Sequence, residues 1–140
     1  IEALTKKLHE KDKVKTLEKN MQVLEEILNI KMDDHKMTKY VLEGIEYIKE
    51  NYASKVTLKD VSDHLGISGV SLNMKFKEEV EYSFSEFLNR YRILKAIEML
   101  RNDEYLVYEV AEKTGFSEYK YFSQVFKKHV GMSPKQFVSQ

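Results

Sequence analysis

Lys120, Ser123, Gln124 and Lys127 are spaced i, i+3, i+4 and i+7, so on a helix they share one face, with Tyr119 at its start. Those residue types suit nucleic-acid contact: lysine meets phosphates or guanine, and glutamine can pair two-pronged with adenine. Tyr119 and Tyr121 flank Lys120 and could touch the sugar-phosphate backbone, although packing is the simpler role for Tyr121. Phe122 and Phe126, four apart, point the other way and would anchor such a helix. Taken alone, the pattern equally fits a solvated amphipathic helix with an ordinary charged exterior.

Other chemistries find little support. The four histidines, His9, His35, His64 and His129, have no mutual i, i+4 spacing and no neighbouring acids in a ligand pattern, so no metal site is expected. There is no Gly-rich phosphate loop, no Gly-x-Ser-x-Gly elbow and no paired acid, base and nucleophile, which argues against an enzyme and calls for no cofactor. With no cysteine, disulfides, thiolate metal sites and cysteine nucleophiles are excluded, which fits the cytoplasm.

The elements that must position the polar face are legible upstream of it. Val107, Val110 and Ala111 give an apolar helical stripe, Gly115 supplies a turn residue, and Ser117 is placed to cap the helix that follows. That is a helix-turn-helix outline, and it occurs twice. Leu58, Val61, Ser62, Gly66, Ile67 and Ser68 match Val107, Val110, Ala111, Gly115, Phe116 and Ser117 at an offset of 49 (115 − 66 = 49). Beyond them the offset is 50, with Leu72 facing Phe122, Phe76 facing Phe126 and Phe87 facing Phe137, which puts one added residue early in the second recognition helix. In the first copy the outer face carries Val70, Asn73, Met74 and Lys77. Asn73 could read adenine, Val70 or Met74 could touch a thymine methyl, and Lys77 would sit near the backbone.

On Gly66-Ile67-Ser68, Leu72, Phe76-Lys77, Phe84-x-x-Phe87-Leu88-Asn89-x-x-Arg92-Ile93, Gly115 to Lys128 and Gly131-Met132-Ser133-Pro134-x-x-Phe137, the chain from Thr38 to Gln140 resembles the AraC/XylS-type transcription regulators. It is most like the output half of receiver-linked, YesN-like response regulators. The resemblance implies a bacterial DNA-binding domain, here expected to be an activator, whose partners are double-stranded DNA and RNA polymerase. It also implies an upstream sensor or receiver part not contained in these residues. The family usually has arginine where this chain has Met74 and glycine where it has Glu81, and Arg92 matches a family arginine expected to pack and form salt bridges. The alternative is a protein-interaction module that keeps the helix-turn-helix shape without strong DNA binding; zero net charge, Met74 and Glu81 favour it.

The expected architecture is all-α: two helix-turn-helix subdomains joined by a long central helix and preceded by an amphipathic helix with coiled-coil spacing. Residues 1–36 read as a connector and linker, and 37–140 as the DNA-binding domain. Within that domain the first helix-turn-helix spans about 57–80, the central helix about 84–101 and the second helix-turn-helix about 106–130. Val14, Leu17, Met21, Leu24 and Leu28 alternate three and four apart, the seam of a two-stranded coiled coil, so residues 1–30 could pair two chains or pack on a neighbouring domain. Thr38, Thr57 and Ser83 are candidate helix caps, the last in capping-box form with Glu86. Twenty-three basic and 23 acidic side chains give a net charge of +0, unusual for a nucleic-acid binder, but from Ser117 to Phe137 Lys120, Lys127, Lys128 and Lys135 oppose only Glu118. The second unit should therefore hold phosphate more firmly than the first. No apolar run is long enough to span a membrane, and no signal peptide is visible.

Overall fold

A computed structural model describes residues 18–26, 28 and 37–140, and every regular element among them is helical. Helix α1 covers 18–26, with 28 also helical. It is followed by α2 (Lys39–Asn51), α3 (Leu58–Leu65), α4 (Gly69–Val80), α5 (Phe84–Arg101), α6 (Val107–Lys113), α7 (Tyr119–Val130) and α8 (Pro134–Val138). Helices α3 and α4 form one helix-turn-helix and α6 and α7 the other, with α5 between them.

The helix starts follow from local hydrogen bonding, in two cases by routes other than those the sequence suggests. Thr57 and Asp60 form a full capping box on α3, with bonds of 3.1 and 3.2 Å. Thr38 occupies the N-cap of α2 without capping it by its own side chain. Its N–H and its hydroxyl both donate to the Glu79 carboxylate from α4, which ties the first turn of α2 to the end of the recognition helix. Ser83 accepts from the Glu86 N–H at 3.2 Å, but Glu86 turns to Arg90 at 3.4 Å instead of closing the box.

Two cores flank α5. Phe84, Phe87, Leu88, Tyr91 and Leu94 join Val41, Ile48, Val61, Leu72 and Phe76 in the first, while Ile93, Ala96, Ile97 and Leu100 join Val110, Phe116, Phe122 and Phe126 in the second. A rod that is apolar on both sides is what a shared central helix requires. Gly44 lets α2 cross close to α4, since a Cβ there would lie 3.0 Å from the fully buried Phe76 ring.

The coiled-coil seam is used within the chain. Leu24 and Leu28 are buried, each 7% exposed, in the first core, and Met21 touches both cores. Lys49 of α2 donates to the Leu28 carbonyl oxygen, binding the end of this segment to the first unit. Leu24 and Leu28 cannot at once line a seam with a second chain, because their apolar surface is already covered, and Met21 is partly so; Val14 and Leu17 lie outside the described residues. No described helix is long and apolar enough to cross a membrane.

Candidate nucleic-acid interface

Both recognition helices are pinned from behind. In α4, Leu72 and Phe76 are fully buried, with the Phe76 ring 5.6 Å from Phe84 and 5.8 Å from Phe87. In α7, Phe122 and Phe126 are fully buried and 5.7 Å apart, backed by Phe116 at 5.1 Å and Phe137 at 5.6 Å. Such edge-on and tilted aromatic pairs hold each helix at one rotation, and the opposite faces are left in solvent.

On α7 the exposed face carries Lys120, Gln124 and Lys127, with Ser123 half-buried between them. Tyr119 stands at the start of the helix with its ring 6.2 Å from Phe122, half committed to packing. Tyr121 accepts a 3.0 Å bond from the Asn89 amide on α5 and leans on Phe116, so it braces the helix, as the simpler role suggests. The start of α7 differs from the sequence expectation: Glu118, not Ser117, is the N-cap, and no side chain caps it. The turn glycines are 49 apart and the helix starts 50 apart (119 − 69 = 50), so the added residue falls in the turn before α7 and moves Ser117 out of capping position.

On α4, Val70 is 73% and Met74 55% exposed, and Lys77 is exposed as well. Asn73 is different. Its Oδ1 accepts from the Phe84 N–H at 2.9 Å, so the carboxamide helps to start α5, and two-pronged pairing with adenine would first have to break that bond. The face offered to solvent by the first unit is thus two apolar side chains and one lysine. The acids beside it are partly accounted for by the fold, since Glu79 is spent on Thr38.

Two features escaped sequence reasoning. Leu106 and Tyr108, each 58% exposed, form with Val107, Tyr119 and Lys135 a shallow, almost wholly apolar shelf beside the start of α7. The signal was an apolar pair lying outside the helical stripe of α6. Arg92 is 8% exposed and, among the described residues, makes no ion pair; it donates to the carbonyl oxygens of Tyr52 and Ser54 at 3.0 and 2.9 Å. Carbonyl bonding by a long side chain to a distant loop leaves no spacing signature, so the expected salt bridge was the wrong partner for the right position.

His129, in the last turn of α7, is the one described histidine with a strongly displaced pKa, lowered to about 4 by burial first and then by Arg90 and Lys128, against an opposing pull from Glu86. Among the described residues no cluster of three or more His, Asp or Glu side chains could hold a metal ion.

Residues 61–140 match a family described as a helix-turn-helix domain. Over 114 residues the chain is 40% identical to the transcriptional regulatory protein HptR of Staphylococcus aureus, covering 81% of this chain and 43% of that protein. The chain thus spans less than half the length of this curated relative. Its fold is similar to the C-terminal domain of AraT, a response regulator from Geobacillus stearothermophilus, at TM-score 0.71 and 34% identity, over 74% of this chain and 86% of that one. The C-terminal domain of the two-component response regulator YesN from Fusobacterium nucleatum is similar at TM-score 0.66 and 33% identity, over 69% and 94% of the two chains.

Proposed function

Since the chain belongs to the AraC-type helix-turn-helix family of transcription regulators, a family of DNA-binding proteins and not of enzymes, we propose that it is a sequence-specific reader of double-stranded DNA that sets its two recognition helices in successive major grooves. The observation that carries the reading is the repeated arrangement of a helix anchored by Leu72 and Phe76, or by Phe122 and Phe126, that turns its outer face to solvent. On this reading the second unit is the stronger reader. Gln124 and Ser123 face base edges, while Lys120 and Lys127 meet guanine or phosphate and Tyr119 the backbone. In the first unit Val70 and Met74 contact thymine methyls, Lys77 a phosphate, and Asn73 steadies α5 in place of reading adenine.

The finer parts of the proposal follow the response-regulator relatives. An upstream sensor or receiver part governs the domain, the work is done in the cytoplasm, and RNA polymerase is the partner in activation. Pairing of two chains through residues 1–30 requires Met21, Leu24 and Leu28 to leave α5. A second reading, a protein-binding module, is favoured by the exposed apolar pair Val70 and Met74.

Selection of duplexes from a random pool, followed by a salt titration on the winner, tests the proposal. Two half-sites about one turn apart and a steep fall of affinity with salt are expected. Gln124→Ala should then cost about 1–3 kcal/mol at one base position, and Lys127→Ala should weaken all sequences alike. A flat salt response with no enriched sequence would turn the assignment to the protein-binding module.

A further inference from the structure

Away from the outer faces of α4 and α7, one side chain of α5 touches both helix-turn-helix units. Arg92 leaves the middle of α5 and closes on the loop after α2, donating from Nε to the Tyr52 carbonyl and from Nη2 to the Ser54 carbonyl. Tyr52 is the C-cap of α2, where the helix leaves its carbonyls unsatisfied and where a cation is electrostatically favoured. On its other side the guanidinium lies 5.7 Å from the centre of the Phe116 ring, in the turn of the second helix-turn-helix. That turn reaches the first unit directly. A Cβ on Gly115, whose φ is +92°, would stand 2.1 Å from the Tyr52 carbonyl oxygen and 2.9 Å from Arg92 Nε. One side chain and one absent side chain therefore bring the loop of one unit, the rod and the turn of the other into contact, at the edge of an open cleft of ≈ 670 Å³ lined by Lys55, Thr57, Glu112 and Ser117.

We propose that Arg92 is a positioning residue that sets the half-site spacing the protein accepts, by clamping the loop 52–54 of the first unit against the Gly115-Phe116 turn of the second. The proposal rests on the two-groove reading above. Each base pair added between half-sites rotates the second groove by about a tenth of a turn, so a rigid pair of readers tolerates one spacing and a hinged pair several. A flexible rod alone would give the second kind. The planar guanidinium holds two carbonyls and a ring face together; lysine, with a single ammonium, cannot reproduce that arrangement.

The test uses Arg92→Gln and Arg92→Lys. Because the chain has no cysteine, single cysteines placed at the exposed Glu78 and Lys128 carry spin labels on α4 and α7 without further changes. In the free protein the native distance distribution should be narrow, and it should broaden in both variants. On duplexes whose half-site spacing varies by single base pairs, native protein should show one sharp optimum. The variants should lose roughly tenfold at that optimum, through lower effective concentration of the second reader, and keep second-unit binding to a single half-site. Unchanged distance distributions in the folded variants, or a spacing profile as sharp as the native one, would overturn the clamp while leaving the DNA-reading assignment intact. If Arg92→Gln fails to fold, Arg92→Lys decides by the same two readouts. If the native protein binds no duplex, the two-groove reading fails, and the label distances still decide whether Arg92 clamps the units.

Discussion

The side chain of Asn73 has the reach and the paired donor and acceptor that adenine recognition asks for, but its oxygen closes on the first N–H of α5. An unfilled N–H at a helix start is costly when half-buried, and a nearby carboxamide is a ready partner. His129 makes the same point with charge. Lowered to about 4, its ring stays neutral at pH 7 beside Arg90 and Lys128, with Glu86 pulling the other way. A folded pKa below the unfolded value near 6.5 means that the unfolded chain binds more protons between those two values, so stability contributed by the neutral ring is complete above about pH 6.5 and is lost as pH falls toward 4. The loss is at most about 1.4 kcal/mol per pH unit, and less because the ring is only partly buried. His129→Gln should therefore flatten the difference between urea midpoints at pH 7 and pH 5; a native-like slope in the variant would assign the acid sensitivity to other groups.

The two recognition helices end differently, although they derive from one pattern. Both stop in the left-handed region, α7 at Gly131 with φ 88° and α4 at Glu81 with φ 69°. Only Gly131 is free of a steric penalty there, since a Cβ in that conformation costs about 1–2 kcal/mol. Glu81→Gly should raise the stability of the domain by about 1 kcal/mol, the greater freedom of glycine in the unfolded chain taking back the rest, and a thermal melt at neutral pH checks it. The repeat, the central rod and both anchored helices were readable because they rest on apolar spacing, which the core enforces at Leu72, Phe76, Phe122 and Phe126. The cap at Ser117 misled because one residue inserted in a turn changes nothing in that spacing yet moves the helix start. The roles of Asn73, Glu79 and Arg92 were hidden for a different reason. Each acts across 11 to 41 positions of sequence, by hydrogen bonds that no periodicity records.

At the scale of the molecule, one strip of apolar side chains has two uses open to it. Met21, Leu24 and Leu28 have the spacing to pair two chains, and they lie instead against this chain's own fold, Leu24 and Leu28 in the first core, Met21 against both, with Met21 and Leu24 lining a pocket on α5 beside His129. Burial on α5 commits α1 to holding both units, whereas pairing would commit it to a second chain and strip that cover from the rod. Leu24→Ala separates the two uses. With Leu24 buried within one chain, the substitution should cost about 2–4 kcal/mol, lowering the urea midpoint equally at low and high protein concentration, and sedimentation should be unchanged. If the strip joined two chains, the native midpoint would climb with protein concentration by mass action, and the substitution would remove that dependence and halve the sedimenting mass. A concentration-independent midpoint in the native protein would mean that any signal reaching this domain through α1 acts by loosening or tightening its grip on α5, because the segment that would carry the signal is the same one that covers the rod joining the two helix-turn-helix units.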